Sequence, residues 1–199
     1  MARQCFDQPH GFTVALKDGE TIDFRPVKPD DWEVIQNGMY HLSRKSRYFR
    51  FFTPVIKLTD SQLHYFSEVD QQDHVAWIAV AHDQADHPGV GIARFIRFKN
   101  DPEVAEFAVT VIDKYQKRGL GTLLMAILYL KAHRQGVKIL RGFVLPENTV
   151  ATHWLERLGA CGKFENDLCQ MDIAVCRDLA HLPTSPLLQL ISDHRIKVM

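Results

Sequence analysis

"YQKRGLG", Tyr115–Gly121, is the stretch on which the reading of the fold turns. Its two glycines stand two apart and two cations precede them. Behind them Leu120, Leu123, Leu124, Ile127 and Leu128 recur at helical spacing, and the run ends at Gly136. In front lies VAEFAVTVI (Val104–Ile112), which reads as a strand. The order is therefore strand, turn, helix, with the helix beginning near Gly119. The first turn of a helix carries free N–H groups and the positive end of the dipole. Glycines let a bulky anion approach the backbone, and Lys117 and Arg118 add charge. The turn suits a pyrophosphate. A P-loop is excluded because no lysine follows Gly121, and a dinucleotide fingerprint because Leu124 stands where its third glycine belongs. Spacing alone leaves an ordinary strand–helix turn with solvated cations equally open.

Working outward, FTVAL (Phe12–Leu16), the turn signal Asp18–Gly19 and TIDFRPV (Thr21–Val27) predict a hairpin. Pro29-Asp30-Asp31 opens a helix to about Leu42, its early acids matching the dipole. The basic, aromatic run Ser43–Phe52 follows, and Thr59-Asp60 caps a short helix, SQLHYFSEV. HVAWIAVAH (His74–His82) and GVGIARFIRF (Gly89–Phe98) read as strands joined by a hairpin-like loop, DQADHP. After the long helix, KILRGFVL (Lys138–Leu145) is a strand. Pro146-Glu147-Asn148 leads into TVATHWLERLG, a helix stopped by Gly159. CQMDIAV (Cys169–Val175) is a last strand, and the tail holds one short helix. Strands with interspersed helices predict an α/β or α+β fold with a mixed sheet.

The 199 residues suit one domain over 1–199, with a core at about 21–175, an N-terminal extension 1–20 and a tail 176–199. Such a chain buries roughly 70% of its unfolded surface, enough for a core without staples. Lysine plus arginine and aspartate plus glutamate number 24 each, so the net charge is zero, which argues against a general nucleic-acid binder. No apolar run has the length of a membrane span. The four cysteines, Cys5, Cys161, Cys169 and Cys176, form no CxxC pair and no signal-peptide pattern precedes them, so they read as reduced cytosolic thiols. Cys161 and Cys169 are expected to pack. The ten histidines show no HxxxH or HExxH spacing, and no metal is expected.

QKRGLG followed by TLL resembles the Q/R-x-x-G-x-G/A loop of the GNAT N-acetyltransferase superfamily. AEFAVTVI resembles that family's central strand, and ENTVATHWLERLGA its second signature, a helix opened by Asn and closed by Leu-Gly. The resemblance runs from about Thr21 to Val175. It implies a mixed, mostly antiparallel sheet that splits at the central strand, with helices on its faces and acetyl-CoA, the cosubstrate, in the split. It further implies a pyrophosphate cradle from the N–H groups of Gln116, Lys117, Arg118, Gly119, Leu120, Gly121 and Thr122. The backbones of Val109 and Val111 would pair with pantetheine like an added strand. Asn148 matches the family's Asn near the CoA arm, and equally suits an N-cap of its own helix.

An amine attacks a thioester only when neutral, and at pH 7 a lysine of pKa about 10.4 is almost wholly protonated. A general base is worth about 10²–10⁴ in rate. Glu106 is the candidate, a carboxylate in an otherwise apolar strand, where burial would raise its pKa. AEFAV also resembles the segment that carries the glutamate base in the superfamily's histone and bacterial protein acetyltransferases. The competing reading is a solvent-facing position, and Glu103 is the reserve. Many GNAT enzymes carry a tyrosine acid on the Asn-helix. That place is Leu155 here, and neighbouring Trp154 supplies no acid either, so the chain departs from the pattern. Tyr115 reads as a packing residue.

Tyr40–Phe52, Lys57–Asp70 and HVAWIAVA resemble the LS-x-x-S-x-Y-x-RFF … LT … D … H-x-A pattern of bacterial protein lysine acetyltransferase domains. That resemblance implies a protein lysine acceptor, with Arg47, Tyr48 and Arg50 either on the acceptor side of the cleft or structural. Many of those relatives carry a fused synthetase-like or cyclic-nucleotide-binding domain, for which 199 residues leave no room. A small-amine acceptor and a non-catalytic acyl-CoA-binding module therefore stay open. The expectation is a cytoplasmic protein, monomer or homodimer, with neither nucleic acid nor membrane as partner.

Overall fold

The computed structural model describes residues 11–16, 18–53, 57–82, 84 and 88–176. The predicted tail helix, most of the DQADHP loop, and Cys5 and His87 lie outside them. Among the described residues eight strands form one sheet: β1 Phe12–Ala15, β2 Thr21–Pro26, β3 His74–Ala81, β4 Gly89–Phe98, β5 Asp101–Val111, β6 Ile139–Val144, β7 Cys161–Glu165 and β8 Leu168–Ala174. Their spatial order is β1-β2-β3-β4-β5-β6-β8-β7. Every neighbouring pair is antiparallel except β5 and β6. The fold is mixed α/β, mostly antiparallel, with helices on the sheet.

Three helices lie between β2 and β3: α1 Trp32–Tyr40, α2 Arg44–Phe51 and α3 Asp60–Ser67. Pro29–Asp31 is a separate 3-10 turn ahead of α1. Its buried Asp31 takes both terminal nitrogens of Arg25, at 2.6 and 2.7 Å, which fixes the chain's exit from β2. The basic run forms α2 because Ser43 caps it, accepting from the Ser46 N–H at 3.1 Å. Thr59 and Gln62 cap α3 reciprocally. After β5 come α4, Leu120–Arg134, and later α5, Thr149–Arg157.

The α4 helix is apolar nearly all round, with Leu124, Ala126, Ile127 and Leu128 fully buried, as a helix sunk in a core must be. It packs on β3, β4 and β5 and is the crossover that lets β6 run parallel to β5. The other face of the sheet carries α1 and α3. Within the described residues, no helix is long and apolar enough to cross a membrane.

The sheet opens where the site is expected. Parallel pairing between β5 and β6 covers only Val104↔Ile139, Ala105↔Leu140 and Glu106↔Arg141. Beyond that rung β6 follows β8, and β5 continues alone to Val111 on that side. Phe107 sits at the fork over Gly142; a Cβ on Gly142 would stand 2.6 Å from the Phe107 ring.

Candidate active site

Glu106 is on the last rung before the strands part. Its side chain is exposed, contrary to the burial expected from an apolar strand. The physical reason is the split itself, which removes the neighbour that would have covered this position. Its lateral neighbour Arg141 is committed to Asp172 by two bonds of 2.7 and 2.9 Å, so it does not neutralise Glu106. Arg50, reaching over from α2, is the cation that feels the Glu106 charge. Burial lowers the Arg50 pKa, and Glu106 opposes that shift. Glu103, the reserve base, is exposed at the other end of β5 and paired with Lys138.

Strand alternation decides which backbone groups face the gap. The Ile112 N–H donates to Val90 of β4 at 3.0 Å. With a period of two, the groups of Val109 and Val111 point the other way, into the split. The Val111 carbonyl there accepts from the Gln116 side chain at 3.0 Å. From Val111 the chain makes a 3-10 turn, Asp113–Tyr115, and passes through Lys117 and Gly119 at φ +60° and +92° before α4 starts. Gly119 supplies no side-chain cap. The N–H groups of Lys117, Arg118, Gly119, Leu120, Gly121 and Thr122 have no acceptor among the described residues. Gln116 differs from the expected cradle, because its N–H closes the turn on Asp113 at 3.2 Å.

The two loop cations part company. Arg118 is taken by Asp18 and by Glu20 at 2.7 Å, and stacks on Tyr115 at 4.7 Å. It ties the loop to the first hairpin instead of offering charge to a ligand. Lys117 is exposed and carries the loop's remaining cation. Tyr115 is buried in the same network, donating to Glu20, which is a packing and anchoring role. No spacing rule could show this pairing, since Arg118 and Glu20 are far apart in sequence.

Across the gap, Asn148 caps α5 by accepting the Ala151 N–H at 3.3 Å, which leaves its NH2 group uncommitted among the described residues. Leu155 is buried in the core, while Trp154 faces α4 and donates to Thr122 at 3.2 Å. The Trp154 ring lies 3.5 Å from where a Cβ on Gly121 would stand. Cys161 is exposed, against the expectation that it packs; Cys169 is partly buried against the core.

The segment that the resemblance places on the acceptor side is joined to the turn after β5. Asp113 accepts from the Ser43 N–H and hydroxyl, both at 2.8 Å, and from the Ser46 hydroxyl at 2.9 Å. Arg47 is structural, donating to the Leu42 carbonyl at 2.7 Å and the Met39 carbonyl at 3.3 Å. Tyr48 reaches Glu147 at 3.3 Å, so α2 touches the loop that opens α5.

The family profile described as "Acetyltransferase (GNAT) domain" matches residues 21–160. Acetyltransferase Pat of Mycolicibacterium smegmatis is 38% identical over 147 residues, covering 74% of this chain and 43% of that protein. Acetyltransferase PA5475 of Pseudomonas aeruginosa is 31% identical over 124 residues, covering 62% of this chain and 66% of that protein. The chain thus spans less than two thirds of either relative. Among solved structures, the GNAT domain of S. lividans PAT superposes with a TM-score of 0.75 at 26% identity, over 82% of this chain and 96% of that one.

Proposed function

The chain belongs to the GNAT acetyltransferase family, and from that premise we infer that it moves an acetyl group from acetyl-CoA to a primary amine, with a protein lysine as acceptor. The observation that carries this reading is the end of β5–β6 pairing at Glu106, which opens a gap running to the uncapped start of α4. The backbone groups of Val109 and the Val111 N–H line the gap as an unpaired strand edge would, and suit the amides of pantetheine; the Val111 carbonyl is held by the Gln116 side chain. The N–H groups of Lys117 to Thr122, with the Lys117 charge, suit the pyrophosphate. Gln116 positions the turn, and Asn148 keeps an amide free for the CoA arm.

Glu106 then receives the proton of the incoming ammonium, directly or through water. The neutral amine attacks the thioester carbonyl, the C–S bond breaks, and the thiolate leaves. The second N–H proton is released as the amide forms, and since Leu155 offers no proton at the usual place of the acid, the thiolate takes its proton from solvent or from another group. The exposure of Glu106 fits a base that must be reached by a large acceptor. The protein lysine is supported by the resemblance of Tyr40–Asp70 to protein lysine acetyltransferase domains, and the Ser43–Asp113 junction makes α2 a fixed wall of the cleft. Residues 21–175 act as one catalytic unit in this reading, in a cytoplasmic setting.

The test is acetyl transfer into a deacetylated bacterial lysate, read as acetyl-lysine by mass spectrometry. Glu106→Gln is expected to keep acetyl-CoA binding and to lower turnover by about 10²–10⁴. Turnover that holds in the variant would remove Glu106 from the mechanism. Binding without labelling of any protein would favour a small amine or a binding module.

A further inference from the structure

A cavity of about 60 Å³ lies beneath α1, α2 and α3, on the same face of the sheet as Glu106. Val34, Ile35, Met39, Phe51, Leu58 and Ile92 make most of its wall apolar. Two cations, Arg50 and Arg94, and Thr110 are its polar residues, and none of the described lining residues is an acid. The room is about that of a few water molecules, at roughly 15 Å³ each.

Arg94 is the unusual member. It is 5% exposed, in the middle of β4, and no carboxylate among the described residues pairs with it. It donates to the Phe66 carbonyl at 3.2 Å and to His74 Nε2 at 3.0 Å, and lies over the Phe66 ring at 4.4 Å. Those two bonds use two of five N–H donors. His74 does not neutralise it, because a ring that accepts from a guanidinium is the neutral form. Burial and the Arg94 charge push His74 down to about 4. Burial and the neighbouring Arg50 lower Arg94 itself to about 9. Arg94, buried beside the half-buried Arg50, costs folding energy unless an anion completes it, and the Glu106 charge is felt by Arg50 rather than paired with Arg94.

The register places this space beside the chemistry. Arg94 pairs with Ala108, Ile92 with Thr110 and Ile96 with Glu106, so these side chains share one face. Arg94 is the diagonal neighbour of Glu106, roughly 7–8 Å away between backbones.

We propose that this cavity is a carboxylate subsite, which takes a short apolar chain ending in a carboxylate and holds its charge against Arg94 and Arg50. The inference rests on the acyl-CoA reading above and narrows its substrate class. The carboxylate has two carriers to distinguish: the acyl group, as in a dicarboxylic monoacyl thioester, or a small amine acceptor, which would replace the protein lysine of the reading above.

Isothermal titration of the full chain separates them. One arm compares succinyl-CoA with acetyl-CoA. The other compares 4-aminobutyrate with butylamine on protein saturated with CoA. The carboxylate-bearing probe is expected to bind roughly 10- to 100-fold tighter on one arm, the range of a net hydrogen bond to a charged group. That arm names the carrier. The preference is expected to fall to near unity in Arg94→Gln and to survive partly in Arg94→Lys. If neither variant folds, the wild-type ratios alone decide. Equal binding on both arms overturns the subsite while acetyl-CoA still binds. Failure of acetyl-CoA itself to bind would instead remove the cosubstrate reading, and the subsite with it.

Discussion

His74 shows how one side chain can report on a buried charge. Its ring lies tilted against Tyr65 at 5.2 Å between centroids and accepts from Arg94, and its pKa falls from 6.5 to about 4. The folded state therefore binds the His74 proton less readily than the unfolded chain. The stability this group contributes is complete above pH 6.5, and declines as pH falls toward 4. The fall in its pKa bounds that contribution at about 3 kcal/mol. Urea unfolding of the wild type should lose more stability between pH 7 and pH 4 than His74→Gln does. Parallel profiles for the two proteins would show that His74 does not titrate in this way. The Asp70 and His74 of the acceptor-side pattern were legible in the sequence as residues, but not their task. Asp70 accepts the N–H groups of Gln72 and His74, and His74 in turn orients Arg94. Charge roles are set by partners distant along the chain, as with Arg118 and Glu20, so a local pattern cannot show them.

Elements were more legible than charges, and the exceptions have local causes. The strand–turn–helix around Gly119 and the long helix to Gly136 follow from periods of two and of 3.6. The α2 helix was hidden because four of its eight residues are cations; its cap and its tie to Asp113 hold it. The β7 strand was hidden because all five of its residues are exposed, so nothing in CGKFE alternates. The fork between β5 and β6 depends on Gly142 and Phe107, which lie apart in sequence. The Gly142 site is buried, and an added methyl would meet the Phe107 ring at 2.6 and 2.8 Å. Gly142→Ala should therefore destabilise by about 1–3 kcal/mol. Adding Phe107→Leu should recover part of that loss, since the two side chains would contest one space. Calorimetric or urea measurements on the single and double variants give the coupling directly, and strict additivity would show that the strands simply shift apart.

For the molecule as a whole, the split leaves two groups of strands, β1 to β5 and β6 to β8, joined by three backbone pairs and by the packing of α4 and α5. A ligand that binds along Val109 and Val111 and ends on the α4 start would touch both groups. It would act as a missing strand, supplying partners to backbone groups that the sheet leaves open. Acetyl-CoA at about 100 times its Kd should then add about 2.7 kcal/mol of stability. For a chain of this size that corresponds to a rise in Tm of roughly 5–10 °C. Hydrogen exchange places the effect: the N–H groups of Val109, Val111 and residues 117–122 should slow, while the Phe12–Phe24 end of the β1–β2 hairpin, away from its Arg118-bound turn, should change little. Gly121→Leu should reduce both effects, because its side chain would press on Trp154 and Val111 and enter the space above the helix start. Protection confined to α1 and α3, with the helix start unchanged, would put the nucleotide elsewhere and would leave the uncapped turn at Gly119 as a structural feature only.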